Sequence, residues 1–217
     1  MSVAKPLQRG ALLALTWMHF LNDSYASFLS PLLPLIVKKL ELSLTLAGML
    51  AATSSVVSAL FQPLFGIIAD RLRHRTFILI APMFTSLGMS ALGLAPSYPL
   101  LLLCLIIGGL GVAAFHPQAT AAAGQFSGDQ KGLGISLFIF GGSLGFALGP
   151  LVITGLVSLW GLERSYLAAI PGLISLLLSA RFVPWREKRG LRQQKQERSL
   201  APFLRQIRPL GLLYGIV

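Results

Sequence analysis

An imidazole, an amide and a carboxylate stand close together in the run Thr16-Trp17-Met18-His19-Phe20-Leu21-Asn22-Asp23, inside a stretch from Ala11 to Val37 that is otherwise apolar. A helix turns about 100° per residue, which puts His19 and Asp23 on one face, one turn and ~6 Å apart. Thr16, Asn22, Ala26 and Ser30 share that face, whereas Trp17, Leu21, Phe28 and Leu32 cluster on the other, where lipid can meet them. A carboxylate beside an imidazole can take up and release a proton, and either group can contact a polar solute. A second imidazole, His116, lies in the apolar run Gly108-Gly109-Leu110-Gly111-Val112-Ala113-Ala114-Phe115-His116-Pro117. There Pro117 leaves a backbone carbonyl without its donor one turn earlier. Gln62, in a run with Thr53, Ser54, Ser55 and Ser58, is expected at a depth similar to that of His19.

Groups of this kind need a protected interior. An ionisable side chain at membrane depth costs at least ~2.5–3.5 kcal/mol unless it faces protein or water. The rest of the chain suits that requirement, being 54% hydrophobic and 12% charged, against roughly 25% charged for soluble domains. Its mean hydropathy is +0.74. Six apolar runs are long enough to cross a ~30 Å hydrocarbon core: Ala11–Val37, Thr45–Ala69, Thr76–Leu94, Tyr98–Ala123, Gly132–Leu159 and Ser165–Val183. A helical bundle over residues 1–183 is expected, followed by a basic linker at 184–208 and the start of a truncated seventh helix at 209–217. Prolines 31 and 34 predict a kink at the outer end of the first span. Leu200, Phe203, Leu204 and Ile207, with Arg205 and Arg208 between them, have the spacing of a short helix lying on the membrane surface.

The net charge of +11 invites a nucleic-acid reading, but the placement of the basic residues argues for a membrane. With the N-terminus inside, fifteen of the eighteen Lys and Arg residues fall in cytoplasmic segments, and only Lys38, Lys39 and Arg164 lie opposite. That is the positive-inside asymmetry, and no nucleic-acid partner is expected. The first apolar run contains Asp23 and lacks a small-residue cleavage site, so it reads as a retained span. Cys104 is the sole cysteine, which rules out a disulfide within the chain. No metal-spaced Cys/His cluster, nucleotide-binding glycine loop or nucleophile elbow is present, so neither a metal nor a cofactor is expected, nor an enzyme activity.

Two further motifs point to a family. Between the second and third spans, Gly66-Ile67-Ile68-Ala69-Asp70-Arg71-Leu72-Arg73-His74-Arg75 resembles the loop signature Gly-x-x-Ala-Asp-Arg/Lys-x-Gly-Arg-Arg/Lys of the major facilitator superfamily. Gly66, Ala69, Asp70, Arg71 and Arg75 match, while Arg73 stands where glycine is usual and His74 where a basic residue is usual. In the fifth span Gly141, Gly145 and Gly149 recur at four-residue spacing before Pro150, forming a groove for a neighbouring helix. They resemble the Gly-x-x-x-Gly-Pro core of that superfamily's antiporter motif, without its usual double glycine afterwards. His19-Phe20-Leu21-Asn22-Asp23 together with Phe115-His116-Pro117 resembles the superfamily's fosmidomycin-resistance branch.

The resemblance implies an all-α membrane protein: a six-transmembrane-helix bundle forming the N-terminal half of a twelve-helix transporter, with a missing C-terminal half as partner. It implies secondary active transport, with proton-coupled efflux of a small molecule or drug as the reading favoured. Asp23 is the only acidic residue well inside a span, since Glu41, Asp70, Asp129, Glu163, Glu187 and Glu197 fall in loops or at span ends. It would carry the proton, with His19 and His116 as titrating or substrate-contacting partners and Asn22 and Gln62 as polar lining. Asp70, Arg71 and Arg75 would form a cytoplasmic gate. The expected location is the bacterial inner membrane, with a cytoplasmic N-terminus. A nutrient or organic-anion symporter of the same fold is the alternative, and a non-transporting membrane subunit is the other.

Overall fold

The computed structural model describes residues 5–184 apart from residue 73. The linker and the start of a seventh helix expected from sequence fall, beyond Pro184, outside the described residues. The described chain is helical: α1 (Arg9–Ala26), α2 (Leu29–Leu40), α3 (Leu44–Arg71), α4 (Thr76–Ser90), α5 (Tyr98–Phe126), α6 (Lys131–Trp160) and α7 (Ala169–Ala180). A 3-10 turn, Ala91–Leu94, prolongs α4, and another, Leu162–Ala168, leads into α7. Ser43 starts α3 by accepting the amide of Leu46 at 3.3 Å, meeting one of the donors that a helix start leaves open. Gly161, at φ 85°, ends α6 in a conformation that favours glycine.

Among the described residues, five continuous helical stretches are long and apolar enough to cross a membrane. The first expected span differs, because α1 and α2 divide it. The break falls at Ser27-Phe28, before the prolines rather than at them. Pro31 has no N–H to return to the Ser27 carbonyl, so the disruption appears one turn upstream, where Phe28 N bonds Tyr25 O at 3.0 Å in a tighter turn. Pro117 and Pro150, in contrast, sit inside α5 and α6 without ending either helix.

The two ends of the bundle are separately stitched. At one, Gln8 N donates to Phe126 O at 2.8 Å, and Lys5 N donates to Asp129 Oδ2 at 2.9 Å. At the other, Lys39 Nζ donates to Gly93 O at 2.8 Å and pairs with Glu163 at 3.4 Å, while Ser165 Oγ joins Ser90 O to Gly93 N. The α1–α2 pair therefore runs from one end of the bundle to the other.

Helix α1 is central, packed along α6 and touching α4, α5 and α7, while α5 lies along both α3 and α4. This placement corrects the lipid-facing assignment made from periodicity. Trp17 is exposed, as expected, but Leu21, Phe28 and Leu32 are buried. A helix surrounded on several sides buries more than one face, and the break at Ser27 resets the angular count. Apolar side chains instead cover the outside on α3 (Leu60, Phe61, Leu64) and α6 (Phe140, Phe146, Leu151). The described bundle is an all-helical membrane fold.

Candidate functional site

The close α1–α6 packing depends on glycine. A Cβ at Gly145 or Gly149 would overlap the carbonyl of Phe20 or Ser24, and one at Gly141 would come within 2.7 Å of the Thr16 carbonyl. The four-residue ridge expected from sequence thus seats directly against the α1 backbone. Pro150 follows it, half-buried.

That contact delivers His19 and Asp23 to the bundle interior, where α5 adds His116. Two imidazoles face Asp23 from different directions: His19 Nε2 lies 3.1 Å from Oδ2, and His116 Nε2 lies 3.4 Å from Oδ1. The first is a close ion-pair contact without the alignment of a hydrogen bond. The imidazoles meet edge to face with centroids 5.2 Å apart. His19 Nδ1 is 2.8 Å from Phe138 O, and His116 Nδ1 is 2.8 Å from Val112 O. A carbonyl can only accept, so both Nδ1 atoms carry hydrogen. In a neutral ring each Nε2 then presents a lone pair to the carboxylate, and attraction requires a proton between them. The cluster therefore offers two bridging positions around one carboxylate.

Asn22, fully buried, orients that carboxylate. Its Nδ2 donates to Asp23 Oδ1 at 3.0 Å, and its Oδ1 accepts from Thr85 Oγ1 of α4 at 2.9 Å. Thr85 had no signal in the sequence beyond being a polar residue in an apolar span. A cavity of about 410 Å³ lies against the cluster, lined by His19, Asp23, Ile139, Gly142, Ser143 and Phe146. His19, Asp23 and His116 each place one donor atom within 4.8 Å of the others, a convergence that sequence spacing alone did not reveal and that could also hold a cation. Gln62 does not join them; it is half-buried on α3 and does not line this cavity.

The loop motif sits at the bundle end that carries Lys5 and Asp129. Gly66 meets Pro117 of α5 at ordinary contact distance, 3.7 Å from a built Cβ. Asp70 and Arg71 are exposed at the end of α3. Arg75 is buried: its guanidinium donates to Pro184 O at 2.8 Å and Gln125 Oε1 at 2.7 Å, and lies 4.6 Å from the Phe126 ring centroid. Gln118, unflagged by sequence, secures the same loop by accepting from Ile78 N and donating to His74 O, each at 3.1 Å. It stands one residue past Pro117, where its amide could have suggested a helix-bridging role.

The described residues thus form an all-helical membrane bundle with a polar cluster beside an open cavity, and comparison with known proteins gives the family. Residues 14–217 match the family model of the Major Facilitator Superfamily, and the chain belongs to that family. It is 30% identical over 176 residues to the fosmidomycin resistance protein of Escherichia coli (strain K12), covering 81% of this chain and 43% of that protein. It is 26% identical over 161 residues to the multi-drug resistance efflux pump PmrA of Streptococcus pneumoniae (strain ATCC BAA-255 / R6), covering 71% of this chain and 40% of that one. The fold is similar to that of a bacterial homolog to the human lysosomal transporter Spinster, in an inward-facing and occupied conformation, with a TM-score of 0.74 at 20% identity. That likeness covers 86% of this chain and 46% of the solved one. The chain thus spans less than half the length of these relatives.

Proposed function

We propose that this chain forms the N-terminal half of a proton-coupled exporter of a small molecule, with His19, Asp23 and His116 as its proton site. One observation carries the reading: a carboxylate inside the bundle is held between two imidazoles at the wall of a cavity. Asn22, itself held by Thr85, orients the carboxylate through Oδ1, leaving protons to enter and leave at the two imidazole contacts. The efflux names of the relatives support the export direction. The test is transport by the complete protein in everted vesicles, with substrate accumulation measured before and after the pH gradient is collapsed. Accumulation that is indifferent to the gradient would remove the proton from the proposal.

The positive-inside asymmetry supports a cytoplasmic N-terminus in the bacterial inner membrane. In a Cys104→Ser background, impermeant maleimide applied to intact cells should label Ser97→Cys and spare Lys131→Cys. Labelling with the opposite preference would invert the orientation.

The gate reading rests on Asp70 and Arg71 at the end of α3 and on Arg75, whose bonds join the loop to the end of α5 and to Pro184 beyond α7. Asp70 is at the surface, so Asp70→Asn removes charge without opening a core cavity. The variant should insert at normal levels and lose at least about tenfold in transport rate, the scale on which misplaced functional geometry is felt. A wild-type rate would reduce the motif to a topology signal.

A further inference from the structure

His19 and His116 contact one carboxylate, but their rings are held in different ways. His116 donates Nδ1–H to Val112, one turn back on its own helix. His19 donates across a helix interface, to Phe138 O of α6, and its ring stacks on the Phe138 ring with centroids 4.1 Å apart and 22° between planes. An anchor within one helix travels with that helix. An anchor between two helices holds only while they keep their register. Gly142, one turn past Phe138, supplies the space: a Cβ there would overlap the His19 imidazole and come within 2.8 Å of Asp23 Oδ2. Helix α6 thus gives His19 its acceptor, its ring support and its room.

We propose, building on the proton-site reading above, that Phe138 and Gly142 are positioning residues through which the α1–α6 contact controls proton binding at the cluster. While the contact holds, Nδ1 keeps its hydrogen, and Nε2 faces Asp23 as an atom that needs an added proton to bridge. Once the contact loosens, Nδ1 can give its hydrogen to water while Nε2 takes one from water. The relocated N–H then reaches the carboxylate with no net proton gained. The same His19–Asp23 contact consumes one more proton in the first arrangement than in the second. Helix register is thereby tied to proton number, which is the link a coupled transporter requires. The titratable groups facing His19 are Asp23 from its own helix and His116 from α5. From α6 it meets a carbonyl, an aromatic ring and a glycine, and α4 and α7 reach α1 through Thr85–Asn22 and Ser175–Trp17.

Histidine-selective ¹⁵N NMR of the complete protein in nanodiscs reads this directly, with the His19 signal assigned by its loss in His19→Gln. In the wild type, His19 should carry hydrogen on Nδ1; hydrogen residing on Nε2 alone would overturn the proposal without any further variant. In Gly142→Ala the Nδ1–H signature should give way to an Nε2–H or mixed one. Proton-driven accumulation should fall at least about tenfold while counterflow exchange persists. Gly155→Ala, on the same helix with nothing within 4 Å of its Cβ, should match the wild type in both readouts. Phe138→Leu keeps the carbonyl but removes the stacked ring, and should shift the His19 signal partway. An unchanged His19 signature in both Gly142→Ala and Phe138→Leu would sink the proposal whatever transport does. A changed signature in a protein that ignores the pH gradient would leave the positioning role standing and remove the proton-coupled function.

Discussion

Asp23→Asn should abolish accumulation driven by a pH gradient while leaving substrate counterflow in place. The substitution keeps the shape of the side chain and one oxygen acceptor but replaces a proton-binding oxygen with an amide that does not titrate. Both imidazoles would lose the anion they face at 3.1 and 3.4 Å, and Asn22 would lose its charged acceptor at 3.0 Å. The bundle should tolerate the change, because a neutral amide is less costly to bury than an ion. Loss confined to gradient-driven flux is therefore the expected signature, and a drop of at least about a hundredfold is reasonable for a group on which the coupled step depends. The measurement is paired: uphill accumulation and exchange at equal substrate concentration, on the same vesicles, with protein level checked by immunoblot. Full uphill transport by Asp23→Asn would move coupling to the histidines or to another ion.

The parts of this site that the sequence revealed are those governed by a single helix. His19 and Asp23 are one turn apart, so their pairing follows from helical geometry alone, and Asp23 stands out because an acid in an apolar span is rare. His116 has no such local link to them; only the likeness of its Phe-His-Pro run to a known branch suggested that it belonged with the first helix. Thr85 and Gln118 were not legible, since polar residues in apolar spans most often serve packing and hydrogen bonding. Their roles depend on which helices abut, a tertiary fact. Gly142 was hidden differently. The ridge Gly141, Gly145 and Gly149 accounted for the helix contact, and Gly142 lies one residue, about 100°, off that ridge. It faces side chains rather than the backbone. The misplaced lipid face of Phe28 and Leu32 has a similar origin, because periodicity assumes one unbroken helix and the chain breaks at Ser27.

Gly145→Ala should cost stability more than any other single methyl added to α6 among the described glycines. Its Cβ would overlap the Phe20 carbonyl oxygen and fall within 2.9 Å of the Phe20 carbonyl carbon and Cα, all backbone atoms that cannot rotate away. That oxygen also accepts from Ser24 Oγ at 2.7 Å, so a local shift there disturbs a second bond. Relief requires α1 and α6 to separate. Overpacking of this kind typically costs about 1–3 kcal/mol, and the loss of small-residue contact is felt strongly in membranes, where close packing is a principal attraction between helices. The separated helices would also withdraw Phe138 O from His19, so proton coupling should weaken along with stability. Gly142→Ala presses on side chains instead and should perturb coupling with a smaller loss of stability. Thermal unfolding of the purified protein in detergent, followed by fluorescence-detected gel filtration, should rank wild type and Gly155→Ala together, Gly142→Ala below them and Gly145→Ala lowest. A Gly145→Ala midpoint equal to that of Gly155→Ala would show that α1 and α6 do not pack along this ridge.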